Sequence, residues 1–172
     1  MMEWFAIRVS YGRVLKFSAE LQELGVQHFV PMAKKKVVKE GKTVTVTAPA
    51  VSNLCFVYST KAFLDDLFRG MGENRNVHFF WDKSTRNPIV VSDKAMTDFM
   101  QICAVMNDET LYLKDITEKL REGQKVRVTE GPFKGVEGTI VRIKKSRRVV
   151  VELPGLLAVA TNFIDPRFLE AL

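Results

Sequence analysis

The sequence predicts an α+β domain followed by a smaller all-β domain, and three observations support this prediction. Patterns typical of strands and of helices alternate over residues 1–106. Residues 107–122 are polar with few apolar side chains, which indicates a linker. Residues 123–172 alternate in the manner of strands, interrupted by turns that carry glycine or proline. The 172 residues therefore divide into domains 1–106 and 123–172, joined by that linker.

The first part of the amino-terminal domain reads as strand, helix and strands. Residues 4–9 are aromatic and β-branched, which favours a strand. Apolar residues recur at helical spacing over residues 12–24, with Ser10 as a candidate N-cap and Gly25 as the stop. The apolar run at residues 54–58 predicts a strand in the middle of a sheet.

A hairpin is predicted between these elements. Residues 33–38 and 42–47 alternate across Glu40 and Gly41, a pair of residues suited to a tight turn. The lysines and threonines of both arms indicate one solvent-facing side and a protruding ribbon.

The rest of this domain contains two more helices and a strand. Thr60 is suited to cap a helix that reaches residue 69, and residues 77–81 predict a strand. Ser92 is suited to cap the last helix, whose apolar residues again recur at helical spacing. The predicted order is therefore β-α-β-β-β-α-β-α.

The carboxy-terminal domain is organised around a strand, a glycine-bearing turn and a second strand. Gly131 and Gly135 bracket the turn and Pro132 fixes its own φ, which predicts a tight loop with Phe133 as an exposed tip. Gly138 lies inside the second strand, where glycine indicates a sharp bend or a close backbone approach.

Charge is unevenly distributed along the chain, whose net charge is +6. Residues 1–52 carry eight Lys/Arg and four Asp/Glu (+4), residues 53–120 carry eight and ten (−2), and residues 121–172 carry ten and six (+4). The positive ends permit contact with nucleic acid, whose phosphates favour Lys and Arg by counterion release. Ordinary solubility is the alternative explanation of the same charges.

Several classes of protein are disfavoured. No apolar run approaches the ~20 residues that span a bilayer, and the start lacks the pattern of a secretory signal. Cys55 and Cys103 lie in apolar surroundings, which predicts buried thiols in a reducing compartment and a cytoplasmic protein. His28 and His78 have no ligand or catalytic partner at a suitable spacing, so we expect no enzyme, no metal and no cofactor.

The turn and the glycine after it resemble the KOW motif, in which Gly138 takes the place of the characteristic glycine. This resemblance implies a small SH3-like β-barrel that binds RNA or protein. Some barrels of related proteins refold into a helical hairpin, but the valine-rich residues 149–151 and the glycines favour strands here.

The whole chain resembles the NusG family of transcription elongation factors. The residues that carry the resemblance are Trp4-Phe5-Ala6-Ile7, Phe29-Val30-Pro31-Met32, Leu54-Cys55-Phe56-Val57 and Pro88 followed by Ser92-Asp93-Lys94. The family implies an amino-terminal NGN domain, built as an antiparallel sheet with flanking helices, then a linker and a carboxy-terminal KOW barrel.

One step indicates a specialised member of the family. The general factor has aromatic-Pro-Gly-Tyr before its central strand, whereas this chain has Val51-Ser52-Asn53-Leu54. Asn53 matches the Pro-Asn-Tyr step of RfaH, and the UpxY group, which regulates capsular polysaccharide operons, is the subtype we favour. The resemblance then implies an antitermination regulator of particular long operons. The alternatives are a general housekeeping NusG and a ribosome-associated KOW protein that binds RNA.

The family docks an apolar depression of its amino-terminal sheet on the clamp of RNA polymerase. The positions implied here are Val51, Leu54, Phe56, Trp4 and Phe80, with Asp65 and Asp66 where RfaH-like proteins meet the opposite side of the cleft. Packing in the domain core is the alternative role of Trp4, Phe56 and Phe80, and it is the role that we favour for Trp4 and Phe80.

The resemblance also implies contacts with nucleic acid and with a second protein. Candidates for DNA or RNA contact are Arg8, Arg13, Lys16, Lys34, Lys35 and Lys36. Solvated surface and protection of a hairpin edge are the alternative roles of these cations. Pro132, Phe133 and Ile164 are the positions at which the barrel would bind NusE of the ribosome or the terminator Rho. We expect the protein to be a monomer.

Overall fold

The computed structural model describes residues 1–72, 76–105, 111–113, 123–143 and 145–172. The chain forms two compact units, Met1–Asp93 and Lys94–Leu172, which we call the N-terminal and C-terminal units. The predicted fold class, an α+β domain followed by a barrel domain, is confirmed. The finer domain bounds stay a prediction.

The N-terminal unit is built on an antiparallel sheet in the order β2-β5-β1-β6, with β7 also paired to β1. Its strands are β1 Glu3–Val9, β2 His28–Phe29, β3 Met32–Lys39, β4 Lys42–Pro49, β5 Leu54–Ser59, β6 Val77–Phe79 and β7 Val90–Val91, and its helices are α1 Val14–Glu23 and α2 Lys61–Gly70. The predicted central strand is β5, which lies between β1 and β2.

One face of this sheet packs in a core with α1 and α2. Phe79 lies near its middle, with its ring centroid 5.6 Å from that of Phe5 and 5.1 Å from that of Phe68. The other buried members are Ile7, Val9, Val14, Phe17, Leu21, Cys55, Val57, Leu64 and Val77. Alternate residues of β1 and β5 thus face the two helices, as a period of two requires.

The helix ends test three of the predicted caps and stops. Arg13 is the N-cap of α1 and makes no side-chain capping bond, so the prediction of Ser10 as the cap is wrong. Gly25 follows α1 with φ +69°, and its predicted role as the stop is confirmed. The Thr60 hydroxyl accepts the backbone N–H of Phe63 at 3.1 Å, which confirms it as the cap of α2.

The predicted hairpin is confirmed as β3 and β4, which pair along their whole length as a separate two-stranded ribbon. Its two-residue turn has φ 51° at Glu40 and φ 75° at Gly41. Two consecutive positive φ values are typical of the type I′ turn, whose twist matches that of the arms.

The C-terminal unit contains helix α3 apart from its first residue and a six-stranded antiparallel sheet in the order β13-β9-β10-β11-β12-β8. Its elements are α3 Asp93–Ala104, β8 Leu111–Leu113, β9 Lys125–Val128, β10 Glu137–Ile143, β11 Ser146–Leu153, β12 Leu157–Ala160, the 3-10 turn Pro166–Phe168 and β13 Leu169–Ala171. Strands form where the barrel was predicted. Strand β8, which pairs with β12, falls within the range 107–122 that was predicted as a linker.

Gly138 lies where β10 comes very close to its neighbour β11. A Cβ added there would come within 2.4 Å of the Val150 carbonyl oxygen and 2.9 Å of Val149 Cγ1. The close backbone approach predicted from the sequence is therefore confirmed.

Candidate functional site

The second face of the N-terminal sheet carries most of the residues implied in polymerase binding. The pairing of β1 with β5 puts Trp4 opposite Tyr58, Ala6 opposite Phe56 and Arg8 opposite Leu54 on this face. Leu54 is 2% exposed and Phe56 is fully buried, and Trp4 is buried as well. The expectation of an open apolar depression is therefore wrong at Leu54 and Phe56. The burial of Trp4 agrees with its alternative role in the domain core.

Val51 and Phe80 are the accessible members of that set. Val51 lies half-buried in the turn before β5, and Phe80 lies half-buried just after β6. The Arg8 guanidinium carbon stands 4.8 Å from the centroid of the Phe80 ring, within the range of a cation–π contact. The Phe80 backbone N–H donates to the Ala6 carbonyl at 3.0 Å, which fixes the residue at the edge of β1.

Asp65 and Asp66 lie on α2 and are both engaged locally. Lys61 Nζ stands 2.8 Å from Asp65, and an Arg69 guanidinium nitrogen stands 2.9 Å from Asp66. These pairs at i,i+4 and i,i+3 spacing neutralise much of the acidic character of this helix surface.

The predicted cations of the N-terminal unit fall in three places. Arg8 is exposed on β1 and stacks on Phe80. Arg13 and Lys16 line a shallow depression at the start of α1, which Glu20 also lines. The lysines 34–36 are exposed on β3 of the hairpin.

A groove in the barrel brings together the three residues predicted for partner binding. Pro132, Phe133 and Ile164 line it, together with Phe163 and Phe168. Phe133 is only 4% exposed and Ile164 is also buried, so the prediction of Phe133 as an exposed tip is wrong. The turn folds this ring into the barrel.

Phe163 is the exposed aromatic of the groove, and the sequence analysis missed it. Its side chain is 57% exposed, while Thr161 and Ile164 around it are buried. The sequence did carry one signal of this exposure, because Phe163 directly follows Asn162 and lies outside any strand. Glu130 and Asp165 also line the groove, which gives it an acidic margin.

Helix α3 holds the turn that forms one wall of this groove. Gln101 Nε2 donates to the carbonyls of Pro132 at 3.1 Å and Lys134 at 2.9 Å. Asp98, 2% exposed, accepts the Glu137 backbone N–H at 3.2 Å and lies 2.7 Å from Lys94 Nζ. The turn is therefore fixed by side chains as well as by its own backbone.

Hydrogen bonds from arginine lower the pKa of two carboxyls of the barrel. The Arg167 side chain and backbone hold the pKa of Asp165 at about 2. A hydrogen bond from Arg127 is the main cause of the lowered pKa of Glu137. The Asp165 carboxylate beside the groove therefore stays ionised over the physiological range.

The surroundings of both cysteines and of His28 indicate structural roles for these residues. Burial raises the pKa of Cys55 to about 12 and that of Cys103 to about 11, which leaves both thiols protonated and unreactive. His28 bonds Ser18 through Nε2 at 2.8 Å and the Val26 carbonyl through Nδ1. Among the residues that the structure describes, no group of His, Cys, Asp or Glu could hold a metal ion. None of the described helices has the length and apolarity needed to span a membrane.

The fold defines a class of protein, one with an α+β unit followed by a small barrel. Comparison with protein families gives two matches: the NusG family, described as transcription termination factor nusG, over residues 2–100, and the KOW motif over residues 122–152. The chain belongs to the NusG family, whose domains indicate a transcription elongation or antitermination factor. No curated protein matches the chain at a significant level.

Proposed function

We propose that this protein binds RNA polymerase through its N-terminal unit and suppresses pausing or termination on particular long operons in the cytoplasm. The observation that carries the proposal is a NusG match followed by a KOW match in one chain. The step at Val51-Ser52-Asn53-Leu54, which departs from the general factor and resembles RfaH at Asn53, supports a specialised role. Capsular polysaccharide loci are the targets we favour.

The polymerase clamp would meet the second face of the N-terminal sheet. Val51 and Phe80 are accessible enough for direct contact. Contact through Trp4, Leu54 and Phe56 requires that the chain first uncovers these buried side chains. Apolar area hidden from water would then contribute about 25 cal/mol per Å², less the cost of association. Asp65 and Asp66 would lie at the opposite side of the cleft.

Cations of the N-terminal unit would meet nucleic acid in the elongation complex. Arg13 and Lys16 are exposed at the start of α1, and Arg8 is exposed on β1. We assign these three residues to the displaced DNA strand, because a cationic surface attracts single strands without reading their sequence. The lysines 34–36 are a separate basic surface on the hairpin.

The barrel groove would recruit a second protein, either NusE within the ribosome or Rho. Phe163 offers an exposed ring, and Pro132 offers an exposed apolar edge beside it. The carboxylate of Glu130 favours a partner segment that combines an apolar residue with Lys or Arg, whereas Asp165 is already paired with Arg167.

The proposed polymerase contact is tested with Val51→Asp in the full chain and nucleic-acid-free core polymerase. A charge placed in an apolar contact is expected to lower the affinity at least about tenfold, which corresponds to ~1.4 kcal/mol. Val38→Asp is the matched control, because Val38 is 73% exposed on the hairpin. Equal affinity of both variants and the wild type would remove Val51 from the contact.

Affinity capture from the native cell separates the proposal from its rivals. Recovery of RNA polymerase supports it, whereas recovery of ribosomal subunits without polymerase would favour a ribosome-associated KOW protein. Transcript mapping in a deletion strain then separates a specialist from a housekeeping factor. Loss of distal genes from a few long operons is expected, and a genome-wide change would indicate the general factor.

A further inference from the structure

A groove in the N-terminal unit lies between the residues that follow α1 and those that begin α2. We call it the helix-end groove. It encloses about 460 Å³, which is within the range of ~300–1,000 Å³ typical of small-molecule sites. None of the residues implied in contact with polymerase or nucleic acid lines it. The argument for a ligand rests on six lining residues: Met2, Val26, Tyr58, Ser59, Thr60 and Phe63.

Apolar side chains form much of the helix-end groove and remain accessible. Phe63 is 42% exposed and Met2 is 49% exposed. Val26 and Tyr58 are half-buried beside them. Single exposed apolar residues are ordinary on a protein surface, but four that share one concavity can shield an apolar group of a ligand from water.

The start of α2 is a positive helix end with open hydrogen-bond donors. Thr60, its N-cap, accepts the N–H of Phe63 through its hydroxyl and the N–H of Leu64 through its carbonyl. The backbone N–H groups of Lys61 and Ala62 have no partner in the described part of the chain. The first turn of α2 carries no acidic side chain that would neutralise this end. A carboxylate is therefore the group that this wall of the groove favours.

The end of α1, on the opposite wall, has the opposite polarity. The N–H groups of Gly25 and Val26 fold back onto carbonyls of the last turn, which closes the helix. The carbonyls of Glu23 and Leu24 accept no backbone hydrogen bond from the residues that the structure describes. The last turn of α1 carries no basic side chain. This end of the groove therefore favours a cation.

Ser59 is a buried polar residue between these two helix ends. It is 5% exposed, and its hydroxyl has no hydrogen-bond partner among the described residues. It alternates with Cys55 and Val57 on the face of β5 that packs towards α1 and α2. A buried hydroxyl is normally hydrogen-bonded, because leaving it without a partner is unfavourable. A polar ligand in the groove that Ser59 lines would supply this partner.

We propose that the helix-end groove binds a free amino acid with an apolar side chain. The carboxylate lies at the start of α2, the ammonium lies at the end of α1, and the side chain lies against Phe63 and Tyr58. A free amino acid carries both charges beside one apolar group, whereas either end of a peptide carries only one of the charges. The inference is independent of the proposed polymerase contact, with which the groove shares no residue.

The first test is isothermal titration calorimetry of the full chain with L-phenylalanine as the probe. A ligand of about a dozen heavy atoms in an open groove is expected to bind with a Kd of about 0.1–1 mM. Because the ligand binds only the folded chain, it is also expected to raise the Tm as its concentration exceeds the Kd. The absence of saturable binding up to about 10 mM would overturn the proposal.

Three analogues of the probe each lack one of the recognised groups. The compound 3-phenylpropionate lacks the ammonium, phenethylamine lacks the carboxylate, and glycine lacks the apolar side chain. Each is expected to bind at least about tenfold more weakly than L-phenylalanine, because one charge-assisted contact or the apolar contact is lost. Equal affinity for any of the three would overturn the assignment of the group that it lacks.

Two variants test the lining of the groove. Phe63→Ala is expected to weaken binding of L-phenylalanine about tenfold, because the ring no longer covers the side chain. Ser59→Ala is expected to weaken it about threefold without lowering the Tm of the free protein, since the hydroxyl has no partner to lose. Leu15→Ala, which removes a 52% exposed side chain of α1 outside the groove, is the control. Wild-type affinity in Phe63→Ala or in Ser59→Ala would overturn the proposal.

A second pair of variants tests the place of the carboxylate. Lys61→Pro removes one of the open N–H groups, and the extended backbone of Thr60 (φ −91°, ψ 152°) is suited to precede a proline. Lys61→Gln is the matched control, because both variants lose the ion pair with Asp65 and only the first loses the N–H. Lys61→Pro is expected to bind L-phenylalanine about threefold more weakly than Lys61→Gln. Equal affinity of the two variants would show that the carboxylate does not lie at the start of α2.

Discussion

Gly138 is a position where one added methyl group would meet the backbone of a neighbouring strand. Its Cβ would clash with the backbone carbonyl of Val150, which belongs to a paired strand and has little freedom to move. Gly138→Ala is expected to lower the free energy of unfolding of the C-terminal unit by about 1–3 kcal/mol, measured by guanidinium titration. Gly70→Ala in α2 is the control for the exchange itself and should lose no stability, because no atom lies within 4 Å of its Cβ position and alanine is favoured in a helix. Wild-type stability of Gly138→Ala would contradict the close approach.

The burial of the two thiols predicts that they react slowly in the native protein. Burial raises the pKa of Cys55 to about 12 and of Cys103 to about 11, so thiolate is scarce at pH 8. The native protein is expected to resist a disulfide reagent such as DTNB, and denaturant is expected to release two reactive thiols. The raised pKa values also make the free energy of unfolding depend on pH. Because the folded pKa values exceed the ordinary 9.0, the free energy of unfolding keeps its full value below about pH 9 and falls as pH rises towards 12. Rapid labelling of the native chain would contradict the burial.

Predictions for single residues succeeded where the role of the residue depends on its near neighbours. They failed where the exposure of a side chain depends on a distant segment that packs over it. Gly138 and Thr60 were predicted correctly, because strand crowding and helix capping depend on near neighbours. Phe133 was predicted exposed from its turn, yet its ring is buried. The direction of a side chain at a turn depends on which distant segment closes over it, and here Ile164 and Phe168 line the same groove.

At the scale of a single element, helix α3 allows a prediction about stability. Asp98 is buried and accepts hydrogen bonds from the Glu137 backbone N–H and from Lys94. Asp98→Ala removes both acceptors and is expected to destabilise the C-terminal unit by about 1.5–3 kcal/mol. Faster hydrogen exchange at the Glu137 amide is the local measurement. Thr97→Ala, one residue away on the exposed side of α3, is the control and should be nearly neutral.

Elements were predicted well where their periodicity is strong and less well where both faces are buried. The hairpin, the helix that ends before Gly25 and the helix that begins after Thr60 carry distinct turn and cap signals. Strand β5 was predicted as central, but Leu54 and Phe56 were expected to lie open on one face. The unbroken apolar run of β5 is typical of a strand covered on both faces, and it was the signal against an open depression.

At the scale of the whole molecule, the two candidate protein contacts lie on different units. Val51 and Phe80 belong to the N-terminal unit, and the groove with Phe163 belongs to the C-terminal unit. Sequence reasoning could assign each surface to its domain, because family motifs are ordered along the chain. It could not tell which side chains on each surface reach solvent, since that depends on packing between segments far apart in sequence.

The separation of the two contacts predicts that they fail independently. Phe163→Glu replaces the exposed ring with a carboxylate beside Glu130 and Asp165, so apolar area is lost and like charges are brought together. Capture of the barrel's partner from lysate is expected to fall at least about tenfold, while affinity for core polymerase stays within twofold of wild type. Phe163→Tyr keeps the ring and should retain the partner. Loss of polymerase affinity in Phe163→Glu would show that the groove belongs to the polymerase contact, and the assignment of one partner to each unit would then be wrong.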